Sequence, residues 1–510
     1  MFHSPVMSLN DLLGGQYVRA VAAASAAIGY EVPDYIFETT DFYPPEKQIQ
    51  NDIFIKRVGE QIVPLFSNSI KGAGTDSFNN ALCASAAPLT GFGCFRIGEN
   101  GRLYILGKSE HYHVPLGHRF DGYNLIDKAR KLGVVNPTHN NTRGYITRLA
   151  EQRLIQAVNG LKSDNDETSQ SELNKILTSR EPKTLNRIIN LETGSLAVEA
   201  GIKMMLNRFY RLDGSFSEPG YYGKTPVFFV IADQNGGFEA NYHGTTVLTQ
   251  TFRGLWLDLY KNIENAGLYK IIPIKINDIE DFKEKISIYN KDGFKTAGFL
   301  HEIILMNYGG IRLTPEYLSA AYEMCRETDT PVLADEIQSC MWYDGMFLFR
   351  QYGLSPDFAV IGKGFPGGEY PASKIITTAE MDNLNQFGAL VTNGQEELAS
   401  LAYLITMAFV QANGVLIQKL GEYFQNRLTE ISRKNPDTII KIEGQGHLTA
   451  LHFKSVDNAA VFAKKLNNHY IDASAQIYKR FCPPAVLLKP PVIASEATLD
   501  FIADTVEKLI

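Results

Sequence analysis

The stretch LADEIQSCMWYDGMFLFRQYGLSPDFAVIGKGFPGGEYPASKII, residues 333–376, lies across two short apolar runs that each lead to charged residues. PVLADE (331–336) brings Asp335 to the end of the first run, and PDFAVIGKG (356–364) brings Lys363, between two glycines, to the end of the second. Short apolar runs bounded by turn residues are typical of buried β-strands. The stretch therefore predicts two buried strands with a carboxylate and an amine at their carboxyl ends.

The same pattern continues upstream of this stretch. PVFFVIA (226–232) and KTAGFLHEIILM (295–306) also have the composition of buried strands, whereas TPEYLSAAYEMCRETD (314–329) has helical apolar spacing. Strands that alternate with amphipathic helices imply a parallel α/β sheet covered on both faces. Ligands bind at the carboxyl ends of the strands in such sheets, so we expect the site there.

The regions on either side predict a second, smaller α+β domain. Residues 91–107 resemble a β-hairpin that turns at Glu99-Asn100-Gly101. The C-terminal part has a long helical region, a strand pair and a terminal helix, at 397–434, 439–453 and 499–510. The polar segment 161–172 is predicted to be a surface loop, and the helix before it is expected to stop at Gly160.

Four segments follow from these patterns. We predict a helical N-terminal extension, the N-terminal part of the small domain with a linker, a large cofactor-binding domain, and a C-terminal small domain, at 1–85, 86–180, 181–395 and 396–510.

Composition excludes several classes of protein. The net charge of −7 gives no basic surface for nucleic acid, and we expect no such partner. No run approaches the roughly 20 apolar residues of a membrane span, and the N-terminus lacks the pattern of a signal peptide. The five cysteines are scattered without a CxxC pair, which favours a reducing compartment. The expectation is a cytoplasmic protein that does not bind membranes.

The polar residues at the predicted strand ends fit one kind of chemistry. A desolvated Lys363 would have a lowered pKa and attack carbonyls. Asp335 would suit a pyridinium nitrogen on a bound ring. Thr193-Gly194-Ser195 at a helix start offers N–H groups to a phosphate, and the turn at Tyr242–Thr245 would cover a flat ring. Each motif alone is weak, and the order and spacing of all four carry the argument.

At this point the chain resembles the class III, or ornithine and ω-aminotransferase type, pyridoxal-phosphate enzymes of fold type I. The resemblance extends from about residue 86 to the C-terminus and is most specific over 333–376, with its DE-x-Q, YG-x-x-PD, GK and YP elements. ETGSLAVEAGIKMM (192–205) and NYHGTT (241–246) match further blocks in the expected order. The resemblance implies a large domain with a mixed, mostly parallel seven-stranded sheet between helices, a small α+β domain, and pyridoxal 5'-phosphate as cofactor.

Three strand-end residues acquire roles from the resemblance. Lys363 would hold the cofactor as a Schiff base and later move a proton. Asp335 would pair with the pyridine nitrogen, and Gln338 would bond the phenolic oxygen of the ring.

Further cofactor contacts are implied in the same way. Gly194 and Ser195 would hold the phosphate, and Tyr242 would stack on the ring with His243 beside it. Thr392 would reach the phosphate of the other subunit, which implies a homodimer with active sites at the interface.

The chain departs from the family pattern at several positions. Leu196 replaces a glutamate, IILMNYGG (303–310) replaces the commoner strand-loop, and NGQEE replaces the usual residues after Thr392. An arginine that several members place before a C-terminal proline pair is missing, and LLKPP with Lys489 stands there. Because lysine does not replace a bidentate arginine, the amino donor cannot be taken as glutamate or ornithine.

Several alternatives stay open on the sequence. The main hypothesis is an aminotransferase acting on an amine or amino acid and a keto acid or aldehyde. An aminomutase, epimerase or decarboxylase on the same fold is the second, and a non-catalytic cofactor-binding regulatory protein is the third. Glu302 is either a gate for substrate carboxylates or a buried strand-end acid. The histidines of HYHVPLGH, His111, His113 and His118, are interpreted as structural, and no metal is expected.

Overall fold

The computed structural model describes residues 1–70, 72–75, 87–109, 113–136, 141–161, 167–477, 479 and 481–510. Its strands are β1 (Val6–Met7), β2 (Thr40–Asp41), β3 (Pro88–Phe92), β4 (Phe95–Gly98), β5 (Leu103–Ile105), β6 (Leu185–Leu191), β7 (Thr225–Ile231), β8 (Lys270–Ile274), β9 (Phe294–His301), β10 (Ile304–Leu305), β11 (Ile311–Arg312), β12 (Val332–Asp335), β13 (Phe358–Ile361), β14 (Ser373–Thr378), β15 (Lys441–Gln445), β16 (Leu448–His452), β17 (Ser474–Ala475) and β18 (Ala485–Leu488).

The α-helices surround these strands and cover the sheets. They are α1 (Leu9–Leu13), α2 (Gly15–Ala27), α3 (Pro45–Ile55), α4 (Asn124–Leu132), α5 (Tyr145–Asn159), α6 (Glu167–Thr178), α7 (Gly194–Leu206), α8 (Val247–Thr251), α9 (Leu257–Asn265), α10 (Ile279–Ile288), α11 (Pro315–Glu327), α12 (Leu348–Gln351), α13 (Gln386–Ala389), α14 (Glu397–Lys434), α15 (Val456–Asn468) and α16 (Glu496–Leu509).

The central sheet has seven strands in the order β6-β14-β13-β12-β9-β7-β8. Only β14 runs antiparallel to the others. On β7, successive residues enter opposite apolar layers, since Phe229 joins one cluster and Phe228 and Val230 join the other. Both faces are therefore buried, and the predicted mixed, mostly parallel α/β sheet of fold type I is confirmed.

A smaller domain is built from both ends of the chain. Its antiparallel sheet has the order β15-β16-β18-β17, and a second antiparallel sheet is formed by β3, β4 and β5. An isolated bridge connects Ile105 of β5 to Ile471, three residues before β17. The turn between β4 and β5 contains Gly101 at φ +76°, so the hairpin predicted there is confirmed.

Two local predictions are wrong. The predicted strand 295–306 ends at His301, after which Ile304–Leu305 pairs with β11 in a separate two-stranded sheet. The predicted loop 161–172 is helical from Glu167, because Leu173, Ile176 and Leu177 give α6 an apolar side that packs on the core. Residues 162–166 of that predicted loop lie outside the described residues.

The N-terminal extension combines helices with a short strand pair. Over its described residues, the extension contains α1, α2 and α3 together with the short pair β1 and β2. It is tied to the rest of the fold where the His3 N–H donates to Asn413 of α14 at 2.8 Å. The division of the chain at 85, 180 and 395 remains a prediction.

Helix α14 is the one described helix that is long and apolar enough to cross a membrane. In this fold 72% of its apolar window is buried inside the protein. Burial of this kind is that of a core helix, here packed on α5, β15 and α16.

Candidate active site

A cavity of about 280 Å³ lies at the carboxyl edge of the central sheet. Among the predicted site residues, every one but Thr392 borders it. Its walls are formed by His113, Glu192, Thr193, Gly194, Ser195, Tyr242, His243, Gly244, Glu302, Asp335, Ile337, Gln338, Lys363, Pro371 and Ala372. The topology explains this convergence, because parallel strands β6, β7, β9, β12 and β13 all end at this edge.

Asp335 ends β12 and lies opposite Val360 of β13. One carboxylate oxygen accepts the Ile337 N–H at 3.2 Å, and the other lies 3.2 Å from Nδ1 of His243. His243 is buried, and its Nε2 has no hydrogen-bond partner among the described residues. The pair therefore presents a fixed carboxylate and an unsatisfied ring nitrogen beside the cavity.

Lys363 follows β13 on a tight turn with φ +55°, a value that non-glycine residues rarely adopt. At the preceding Gly362, a Cβ would approach Ser373 Oγ at 2.7 Å, so the turn needs glycine there. The Nζ donates to Gln338 Oε1 at 3.5 Å. Burial lowers the pKa of Lys363 to about 8, although the carboxylates of Glu302 and Asp335 oppose this shift. This amine is therefore more readily neutral than an exposed lysine, as a nucleophile requires.

Glu302 lies directly after β9 and is buried. One oxygen accepts Gln338 Nε2 at 2.9 Å, while Oε1 has no partner among the described residues. Burial, and then the charge of Asp335, raises the pKa of Glu302 to about 8. Both interpretations of this residue stay open, because a half-satisfied acid suits a ligand contact and a strand-end acid alike.

The start of α7 forms an anion cradle on another wall. Thr193 caps the helix by accepting the Leu196 N–H, so the first N–H groups, at Gly194 and Ser195, face outward from the helix end. A Cβ at Gly194 would approach Ile337 Cδ1 at 2.1 Å, so a larger residue there would displace the Ile337 side chain in the loop after Asp335. Ser195 Oγ accepts the Thr245 N–H at 3.0 Å, which joins the cradle to the aromatic turn.

Tyr242 is half-buried at the cavity wall, and the guanidinium of Arg253 lies 5.1 Å from its ring centroid. Sequence reasoning did not assign a role to several wall residues, including Pro371, Ala372 and Ile337. Ile337 lies in the quoted DE-x-Q element, and Pro371 lies in the YP element, so their proximity to the motif was the available signal.

Two predicted features differ from the others in position. Thr392 is exposed in the loop before α14 and does not border this cavity. Among the histidines interpreted as structural, His113 lines the cavity, His118 bridges to Gly93, and His111 lies outside the described residues. Over the described residues, no group of three His, Cys, Asp or Glu side chains is arranged to hold a metal.

Comparison with known families shows the family to which the chain belongs. The model of the aminotransferase class-III family matches residues 115–510, more than half of the chain. The chain belongs to the class III aminotransferase family. It is a pyridoxal-phosphate-dependent aminotransferase, as the sequence predicted.

Relatives with known names agree with this assignment. The aminotransferase is 26% identical to a putrescine aminotransferase of Pectobacterium atrosepticum, over 68% of this chain and 70% of the relative. It is 24% identical to an ornithine aminotransferase of Brevibacillus brevis, over 80% and 93%. The crystal structure of the ornithine aminotransferase of Toxoplasma gondii superposes with a TM-score of 0.64 at 19% identity, covering 84% of this chain and 91% of that one. This structural likeness shows the shared fold.

The residues around the cavity fit pyridoxal phosphate. The α7 cradle suits its phosphate, Asp335 suits its ring nitrogen, and the amine of Lys363 suits its aldehyde. The unsatisfied His243 Nε2 and Glu302 Oε1 leave polar groups for a ligand to meet.

Proposed function

We propose that this aminotransferase holds its cofactor on Lys363 through a Schiff base and transfers an amino group between an amine or amino acid and a keto acid or aldehyde. One observation carries the proposal: Lys363, with its lowered pKa, shares one cavity with the buried Asp335 carboxylate. When bound, pyridoxal phosphate supplies an aldehyde that condenses with amines and a ring that withdraws electrons from the substrate.

The residues of the chain supply binding and proton transfer. Asp335, oriented by the Ile337 N–H and by His243, would hold a proton at the ring nitrogen. Once an incoming amine has displaced it from the cofactor, Lys363 Nζ would remove a proton from the Cα of the substrate and return it to the C4′ carbon of the cofactor. A lysine with a pKa near 8 suits both halves of that task, because it exchanges protons close to neutral pH.

Three further contacts would fix the cofactor. Gln338, positioned between Glu302 and Lys363, would bond the phenolic oxygen. The N–H groups at Gly194 and Ser195 would hold the phosphate, and Tyr242 would cover the ring.

We further propose a homodimer in which Thr392 contacts the phosphate of the partner subunit. The exposed position of Thr392 supports this role, since it lies away from its own cavity. The loop is held from behind, where Gln395 accepts a hydrogen bond from Asn190 at 3.1 Å. A loop that is fixed at Gln395 and exposes Thr392 suits a contact across a dimer interface.

The cytoplasm is the proposed compartment. Cys94, Cys325, Cys340 and Cys482 are buried free thiols. Buried unpaired thiols are typical of proteins kept in a reducing environment.

The direct test is spectroscopic. Adding an amine or amino acid without an acceptor should bleach the long-wavelength absorption band of the bound cofactor in a single turnover. Adding a keto acid should then restore the band. Loss of the band on Lys363→Ala would link it to this residue. An amine converted to its positional isomer with no need for acceptor would instead identify a mutase.

A further inference from the structure

Lys489 is a fully buried lysine of the small domain that reaches into the large domain. It follows β18 and is 0% exposed, and its Nζ donates to the backbone carbonyl of Gln338. The same Nζ lies 3.8 Å from the centroid of the Trp342 ring. Both partners belong to the segment that follows Asp335, so this lysine joins the two domains directly behind the cavity.

The backbone of Lys489 is fixed as firmly as its side chain. Its N–H donates to the Gly107 carbonyl at 2.7 Å, and its own carbonyl accepts the Ser109 hydroxyl at 2.5 Å. The lysine is therefore held by the small domain through its backbone and extends its amine to the Gln338 carbonyl and the Trp342 ring in the large domain.

Burying this amine is unfavourable. Burial, followed by the like charge of Lys363, lowers the pKa of Lys489 well below its usual value. The titratable groups around it are Lys363, Glu302, Cys340 and His447. A buried amine whose desolvation costs folding free energy, and which nevertheless contacts an active-site segment, suggests a function rather than a packing role.

Gln338 connects this lysine to the reactive one. Its Nε2 donates to Glu302 at 2.9 Å, and its Oε1 accepts from Lys363 Nζ at 3.5 Å. The main chain of Gln338 is the point that Lys489 holds. A shift of the Gln338 backbone carbonyl would move the side-chain amide of Gln338 relative to Glu302 and Lys363.

We propose that Lys489 is a positioning residue that fixes Gln338 between Glu302 and Lys363. The inference rests on the proposed function, because it assumes that Gln338 bonds the phenolic oxygen of the cofactor. Lys489 acts through Gln338 and touches neither cofactor nor substrate.

The test is a double-variant cycle with Lys489→Met and Gln338→Ala, read on the bound cofactor rather than on turnover. Methionine keeps the apolar stem and removes the donor. We expect Lys489→Met to shift the absorption band of the bound cofactor and to weaken cofactor binding to the apoprotein about tenfold, as loss of one hydrogen bond to a site residue would. Because the effect passes through Gln338, the double variant should bind no more weakly than Gln338→Ala alone.

A matched control comes from Lys295→Met, which removes a buried lysine at the other edge of the sheet. This variant should leave the absorption band of the bound cofactor unchanged. Its effect on cofactor binding should be additive with that of Gln338→Ala. If Lys489→Met does not fold, Ser109→Ala loosens the same lysine and should shift the band in the same direction by less.

Full additivity of Lys489→Met with Gln338→Ala would overturn the proposal, as would an unchanged band in both Lys489→Met and Ser109→Ala. Failure of the proposed function has a different signature, namely that wild-type protein forms no adduct on Lys363. The two outcomes are therefore distinguishable.

Discussion

At each end of the strands of the central sheet lie a desolvated lysine and a buried aspartate, but the surroundings of the two pairs differ. Burial lowers the pKa of Lys295, at the start of β9, and of Lys363, after β13, to about 8 in each case. The Nζ of Lys295 lies 2.6 Å from the Thr328 carbonyl and within hydrogen-bonding distance of four further oxygens of Asn290, Thr296 and Asp329, which share its three N–H donors. Lys363 instead borders a cavity. A lowered pKa alone therefore does not mark a reactive lysine, and an adjoining space for a ligand is needed as well.

The aspartates show the same contrast. Asp357, before β13, accepts Lys183 Nζ at 2.6 Å and the Val332 N–H at 2.7 Å. Asp335 lies at the carboxyl end of β12 and borders the cavity. In the described part of the chain it has no lysine or arginine within ion-pair distance. At the amino ends of the strands, ion pairs and hydrogen bonds satisfy the charged groups. At the carboxyl ends, the charged groups border the cavity.

The largest expected effect separates the two lysines. Lys363→Ala should lower kcat/KM by about 10³-fold or more, because both attachment and proton transfer depend on its amine. Lys295→Met should retain near-wild-type kcat/KM but unfold at lower temperature, since it leaves buried carbonyl oxygens unsatisfied at roughly 1–3 kcal/mol. Steady-state kinetics and thermal unfolding measure both. Equal kinetic losses in the two variants would remove the contrast.

The second effect separates the two aspartates. Asp335→Asn should lower kcat about 10²-fold with little change in thermal stability, because it removes the charge expected to face the ring nitrogen. Asp357→Asn should do the reverse, destabilising the fold by breaking the ion pair with Lys183. The absorption spectrum of the bound cofactor should change only in Asp335→Asn. A spectral change confined to Asp357→Asn would contradict the assignment.

The pH dependence of cofactor attachment gives an intermediate effect. Only the neutral amine attacks an aldehyde, and the protonated form of Lys363 predominates below about 8. The attachment rate should therefore rise about tenfold per pH unit up to about pH 8 and then level off. Stopped-flow mixing of apoprotein with pyridoxal phosphate measures it. Lys295→Met should give the same profile, and a rate independent of pH would argue against Lys363.

The smallest effect concerns the phosphate cradle. Ser195→Ala removes the hydroxyl that accepts the Thr245 N–H, so cofactor affinity should fall about fivefold to tenfold. Ser455→Ala, which removes the N-cap of α15, should cost about 1 kcal/mol of stability and leave affinity unchanged. Equilibrium titration of apoprotein distinguishes the two.

Much of this fold could be predicted from the sequence because the strands at 226–232, 331–336 and 356–364 are short, apolar and separated by amphipathic helices. The break after His301 could not be read, because Ile303, Ile304 and Leu305 continue the apolar run although the chain turns away. The helix α6 was missed because its first residues are polar, and the apolar residues that bury it come later.

The site shows a similar division. Asp335, Gln338 and Lys363 stood out because charged or amide residues follow buried strands. The role proposed for Lys489 could not be inferred, since it depends on a contact between residues 151 positions apart in sequence. Nor does the sequence show that Lys295 is enclosed by carbonyl oxygens, which only the packed ends of α11 and β9 provide.

The most direct test of the account is borohydride reduction of the cofactor-bound protein followed by peptide mapping of the modified lysine. We expect the reduced adduct on the peptide containing Lys363 and not on those containing Lys295, Lys374 or Lys489, although these three lysines are buried. A label on any other lysine, or no covalent label in protein that binds the cofactor, would contradict it.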